Sequence, residues 1–331
     1  MATYYGTYGQ KVQYLASDPS DPQIGQVWYN STSAVLKVRQ SVATNAWASG
    51  GNMNTGRRYL AGFGTQTAAI GAGGYTATNS IVNTVESYNG TSWTTVNSMA
   101  TSTNRTTGAG VQTAGLRIGG CNPYAVNTGT TEEYDGTNWT SGGSLNTPRS
   151  SLASSGTQTS ALAFGGSNPG HVTKVAVTEL YNGTSWTSNP TGLNTARRFP
   201  GGTGTQTAAL AFGGAVDPGT TTATESWNGS TWTTLPANMN TSRQLMGTAG
   251  TQTASLGFGG TAAAPHMADV ELWDGSTWTT TTSLPVAKYG GGGCGTQTSA
   301  LSFGGQAATG AVTTTEEWTG TQILNRTVTV S

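Results

Sequence analysis

Charge is scarce in this chain. Only 8% of its 331 residues are Asp, Glu, Lys or Arg, where about a quarter is usual. The 14 acidic and 14 basic residues cancel, and no basic stripe is visible. Nucleic acid, which needs a basic footprint, is therefore not an expected partner. Cysteine is nearly missing too. Cys121 and Cys294 stand far apart and outside any CxxC spacing, so neither a disulfide framework nor a zinc site is expected. No apolar run is long enough for a spanning helix, and MATYYGTYGQ has no basic and apolar leader pattern; membrane insertion and a signal peptide are not expected. The Asn-x-Ser/Thr triplets at Asn89, Asn182 and Asn228 then read as turn chemistry. An apolar pattern of helical period is absent as well.

What is abundant is glycine, with 49 residues, and threonine, a composition that favours turns and strands over helices. These residues are organised by a repeat. The phrase TQTAALAFGG, which begins at Thr205, recurs six times, its glutamine falling at Gln66, Gln112, Gln158, Gln206, Gln252 and Gln297. The steps are 46, 46, 48, 46 and 45 residues, a period in the range of about 40–50 that marks repeat architectures.

One unit, Arg197 to Asn240, shows the design. RRFPGGTGT is short and rich in small residues. TAALAFGG alternates, with Ala208, Leu210 and Phe212 on one face, and closes on Gly213 and Gly214. AVDPGTTT is a loop, TATESW a third strand, Asn228-Gly229 a hairpin turn and TWTTL a fourth strand. Four short strands per unit indicate an all-β chain and one blade of a β-propeller per repeat.

Other columns recur in step. Trp47, Trp93, Trp139, Trp186, Trp232 and Trp278 open the fourth strand. An aromatic residue ends the third, and two residues before it stands Glu86, Glu132, Glu179, Glu225, Glu271 or Glu316. The order Gly-Gly, aromatic, Trp resembles the kelch repeat over roughly residues 45–320, and that resemblance implies a six-bladed propeller. The Trp47 strand precedes every other blade strand, while Trp318 is followed by no NGTSW segment. Ala46–Ser49 is therefore expected to supply the outer strand of the last blade, which protects the edges.

Most repeated residues should serve the scaffold. The six glutamates invite a reading as metal ligands or as acid and base, but each occurs once per unit. A basic residue recurs nine positions before the glutamine, at Arg57, Arg149, Arg197, Arg243 and Lys288. Glu–Arg or Glu–backbone pairing that ties blades together is the expectation, since partly buried charges need partners. The second unit departs, with Thr103 in that column and Arg105 two residues on; Arg117 is also out of pattern and reads as a local inter-blade contact, with a functional role as the alternative. Gly290–Gly293 lacks the ending of a phosphate loop.

The loop after Gly-Gly varies: Tyr75–Asn79, Cys121–Gly129, Ser167–Lys174, Ala215–Thr221, Thr261–Met267 and Gln306–Gly310. Variable loops on a rigid scaffold are where binding resides, and Tyr75, Asn122, Tyr124, His171, Asp217, His266 and Asp269 are the candidate ligand-binding residues. Neutral loop drift stays open as the alternative. The two histidines lack companions at ligand spacing, so no metal is expected, and no catalytic triad is apparent. Some copper oxidases share a kelch-type propeller, and Cys121, Tyr124 and His171 resemble their ligand types. The wider ligand set is not evident, and that activity is not carried over. The chain is read as a non-enzyme without cofactors.

Residues 1–44 lie outside the repeat. Gln26–Tyr29 and Val35–Arg39 read as a hairpin about the turn Asn30–Ser33, and Thr321–Ser331 as a strand-like tail that pairs with a blade edge or a neighbouring copy. SDPSDPQIGQVWYNSTSAVLKVR, from Ser17 to Arg39, resembles leader segments of bacteriophage virion proteins, especially tail-fibre-like ones. The resemblance implies attachment to other virion proteins through residues 1–44. It also implies a propeller presented on the particle surface for a host glycan or protein, after synthesis in the bacterial cytoplasm. Fibres of this sort are commonly trimeric, which suggests a homo-oligomer. The alternatives are a capsid decoration or head fibre protein and a soluble bacterial kelch interaction module.

Overall fold

The structure, a computed structural model, describes residues 12–42, 44–123, 126–168, 173–262 and 266–328. Among these residues every regular element is a strand. The chain divides into two compact units, one of residues 46–318 and one that joins residues 1–45 to 319–331.

The larger unit is built from repeated four-stranded antiparallel sheets. In the second sheet Thr107–Val111, Ala114–Ile118, Thr131–Tyr134 and Trp139–Ser141 follow one another in space as in sequence. The third, fourth and fifth sheets repeat this order, opening with Ala153–Gly156, Gly201–Gly204 and Gly247–Gly250. The first sheet opens with Ala61–Thr65. The sixth is composite: Gly292–Thr296, Ser299–Phe303 and Thr315–Thr319 are followed by Ala46–Ser49 from the other end of the unit.

The alternation in the second strand of each repeat separates two buried faces, not inside from outside. All four residues of Ala209–Phe212 are buried. Leu210 and Phe212 pack with Trp273 and Trp278 of the fifth sheet. Ala209 and Ala211 face the other way and pack with Leu162 and Phe164 of the third. Large side chains thus point to one neighbour while alanines receive the large side chains of the other, the volume matching that close packing requires. A cluster of this kind lies between each pair of consecutive sheets, and one joins Phe303 of the sixth to Tyr88 and Trp93 of the first.

Side-chain hydrogen bonds cross the same boundaries. Gln206 Nε2 donates to the carbonyls of Ala161 (3.0 Å) and Tyr181 (2.5 Å) in the preceding sheet. Gln66 does so to Ala300 and Trp318 of the sixth. Trp232 Nε1 donates to Thr178 Oγ1 (2.9 Å). Where the matching residue of the preceding sheet is Val85, Trp139 Nε1 is buried with no acceptor among the described residues.

In the smaller unit Gln13–Leu15, Val27–Asn30, Val35–Val42 and Gln322–Thr327 form one sheet in that order. The first hairpin strand starts one residue later than the sequence pattern places it, and the second starts at Val35 as expected and runs on to Val42. The C-terminal strand pairs with the open edge of the hairpin's longer strand Val35–Val42, Val38 opposite Arg326, and not with a blade edge or a neighbouring copy as expected. Asp18 holds the Pro-rich lead in place by accepting from Lys37 Nζ (2.8 Å), Asn30 Nδ2 (2.7 Å) and Trp28 Nε1 (3.1 Å). These partners, Lys37 foremost, lower its carboxyl to about 2.

Candidate binding face

The six repeated glutamates are consumed by the scaffold. Glu225 accepts from Arg197 Nη2 (2.5 Å) and from the amides of Asn194 (2.7 Å) and Thr195 (3.3 Å). Both charged side chains are fully buried. Arg197 spends its other donors on the carbonyls of Gly213 and Ala223. Glu86–Arg57, Glu179–Arg149, Glu271–Arg243 and Glu316–Lys288 repeat the pair. Burial pulls each of these bases down from its ordinary pKa, and the facing carboxylate opposes that shift. In the second sheet Arg117 enters from the second strand and pairs with Glu132 on the neighbouring strand of the same sheet, so its contact is within one sheet and not between blades as expected; it stands in for the base that Thr103 replaces. The carboxylates therefore pin the segment entering each sheet and are not displayed to solvent. The tryptophans of the fourth strands likewise lie between sheets, as in the Phe212–Trp278 pair at 4.8 Å and the Trp47–Phe258 pair at 5.4 Å.

Two residues after the basic column stand Tyr59, Arg105, Ser151, Phe199, Leu245 and Gly290. Their amides form a cycle. Tyr59 N donates to the Gly290 carbonyl (2.6 Å), Arg105 N to Tyr59 (2.9 Å), Ser151 N to Arg105 (2.8 Å) and Phe199 N to Ser151 (2.6 Å). Leu245 N donates to Phe199 (3.3 Å) and Gly290 N to Leu245 (2.8 Å), which returns to the start. All six have φ between 50° and 64°. This left-handed conformation costs roughly 1–2 kcal/mol for a residue with a Cβ, and here the cycle of hydrogen bonds holds it. The sequence reading missed this ring. The column varies from aromatic to cation to glycine, and the columns on either side of it vary as well, so no local pattern marks it out.

The ring caps a cavity of about 220 Å³ whose wall is made of first strands, with Gly62, Gly108, Ser154, Gly202, Thr248 and Gly293 contributing one residue from each sheet. The variable loops begin beside the ring, because each second strand runs antiparallel to its first. Tyr75 pairs with Arg58, Cys121 with Asn104, Ala215 with Arg198 and Gln306 with Tyr289. Ring and loops therefore share one face.

Aromatic and guanidinium groups gather at its centre. The Tyr59 ring stacks near Phe199 (6.1 Å) and lies 6.2 Å from Tyr289. Arg58 and Arg105 place Cζ 5.6 and 5.7 Å from the same ring, within cation–π reach. Burial, and next the neighbouring Tyr289, push the Tyr59 hydroxyl up to about 12. Arg58 also donates to Gln306 Oε1 and, at 2.9 Å, to Asn79 Oδ1.

The candidates from the sequence divide. Tyr75 lies 5.5 Å from Arg58 Cζ, and His266 stacks on Tyr289 at 5.3 Å, so both join the central cluster. Asp217 is exposed and pairs with Lys174. Asn122 Oδ1 accepts from the Val126 amide (3.0 Å) within its own loop. Asp269 lies near enough to Arg243 to act on its charge. Tyr124 and His171 lie outside the described residues. Among the described residues no three His, Cys, Asp or Glu side chains converge as metal ligands. No protein-family model matches this chain, and a search of curated proteins finds no match.

Proposed function

We propose that residues 46–318 form a closed, six-bladed, kelch-like β-propeller that serves as a non-enzymatic binding module. It attaches a bacteriophage particle to a host-surface glycan or protein. Closure is supported by the hydrogen-bond cycle through Tyr59 and Gly290 and by the cluster joining Phe303 to Tyr88 and Trp93. The observation that carries the binding role is the convergence of Tyr59, Tyr75, Phe199, Tyr289, Arg58 and Arg105 on the face where the repeats differ. Flat rings beside guanidinium groups on a rigid scaffold offer a ligand both apolar contact and charge-assisted hydrogen bonds.

The virion setting rests on the Ser17–Arg39 resemblance. It is favoured by the separate sheet that both chain ends build, which provides an anchoring body distinct from the propeller. Immunogold electron microscopy of the parent particle with antibody to residues 46–318 tests it. Label on the tail or its fibres supports host attachment, and label over the head transfers the role to capsid decoration. A particle without label overturns the virion reading.

A further inference from the structure

The larger unit holds ten basic and twelve acidic side chains, but the two signs are not mixed evenly over it. Six carboxylates pair with the six buried bases. Lys174 pairs with Asp217. Two further cations, Arg58 and Arg105, lie against the Tyr59 ring at the amide cycle. The remaining carboxylates are engaged elsewhere. Asp135 and Asp274 cap hairpin turns by accepting from Asn138 and Thr277. Glu133 and Glu317 accept from the Tyr181 and Tyr88 hydroxyls, and Asp269 lies beside Arg243. Every Asp and Glu of the chain falls among the described residues, and none is paired with Arg58 or Arg105. The Nε of both has no acceptor among the described residues. A protein of zero net charge thus presents a face whose centre is cationic.

We propose that this central cluster binds the anionic group of an acidic saccharide, a carboxylate or a phosphate. Arg58 and Arg105 take its oxygens, and the Tyr59, Phe199 and Tyr289 rings receive the sugar. The inference rests on the binding role proposed above and names its ligand class. A guanidinium fork matches the geometry of either anion. An unpaired, half-buried cation gains most from an acidic partner because screening by water and salt is reduced there. Asn79 and Gln306, already bonded to Arg58, hold that guanidinium in place and add amide groups suited to hydroxyls.

The test is calorimetric titration at low salt with oligogalacturonate, a phosphate-bearing mannooligosaccharide and neutral maltooligosaccharide. The variants are Arg105→Met and Arg58→Met. Arg105→Met is the cleaner variant, since Arg58→Met also removes the Asn79 and Gln306 bonds; an unchanged melting temperature certifies either one. One acidic oligomer is expected to bind, to weaken with added salt, and to lose about tenfold or more in affinity in Arg105→Met. Arg105→Lys should recover part of that loss. The acidic oligomer that binds separates carboxylate from phosphate. Binding of the neutral oligomer with equal strength, unchanged binding in both variants, or no binding of either acidic oligomer would each overturn the proposal. Adhesion of labelled chain to bacterial cells is measured alongside. Adhesion that both variants retain rejects the anion site but leaves the attachment role. Failure of the wild-type chain to adhere to any cell rejects the attachment role itself.

Discussion

Arg117 donates to Glu132 through Nε (3.2 Å) and Nη2 (2.5 Å), so the second sheet keeps its buried ion pair with an arginine from a different strand. Its Nη1 reaches the carbonyls of Gly119 and Thr130, which match the Gly73 and Thr84 carbonyls that Arg57 reaches in the first sheet. The chain has exchanged Thr103 and Arg117 for the arginine and small residue found elsewhere. Arg117→Ala leaves Glu132 buried without its cation and is expected to cost about 3–5 kcal/mol. Adding Thr103→Arg restores the arrangement of the other sheets and should recover most of the loss. Thermal melting of the single and double variants checks this; a double variant no more stable than Arg117→Ala would refute the exchange.

Trp139 offers a test in the opposite direction. Its Nε1 lacks an acceptor among the described residues, whereas Trp186 and Trp278 donate to Thr131 and Thr224. Val85→Thr places a hydroxyl in the matching position. The expected gain is about 0.5–1.5 kcal/mol, offset in part by burying the new hydroxyl. Denaturant unfolding should show a raised midpoint at unchanged slope.

Alkaline stability should follow two tyrosines. The Tyr181 hydroxyl donates to Glu133 (2.5 Å) and that of Tyr88 to Glu317 (2.6 Å). Burial first, and then the carboxylate, raise both to about 12 from an ordinary 10.0. The folded state holds these protons more tightly than the unfolded chain. Their contribution is therefore complete below pH 10 and is lost as the pH rises toward 12. The melting temperature should fall across that window, and Tyr181→Phe should make the fall shallower.

Gly290 tests the ring. A Cβ there would lie 2.9 Å from Tyr59 Cδ1 and 3.0 Å from Cε1, at a φ of 64°. Gly290→Ala is expected to cost about 1–2 kcal/mol from the backbone conformation and to displace the Tyr59 ring. Near-ultraviolet circular dichroism should report the displacement while the far-ultraviolet signal stays constant. An unchanged near-ultraviolet spectrum would place Tyr59 elsewhere.

Much of this protein is local and was legible in one dimension. Alternation in TAALAFGG, the Asn-Gly turns and the repeat period establish strands, their order and their number per unit, because each depends on neighbouring residues alone. The recurring Glu and Arg columns also announce charges that need partners. What the alternation could not tell is that both strand faces are buried, since that follows from sheets packing on either side. Nor could it show Arg117 standing in for the base that Thr103 lacks, or the C-terminal strand joining Val35–Val42. The candidate binding face is the clearest case. Tyr75 and His266 stood out in the loops, but Tyr59, Phe199 and Tyr289 sat inside the repeat register and looked like scaffold. The sequence by itself determined the repeating sheet, through spacings of a few residues. Only the tertiary structure decided which side chains meet, because the amide cycle from Tyr59 to Gly290 gathers positions that the chain keeps a whole repeat apart.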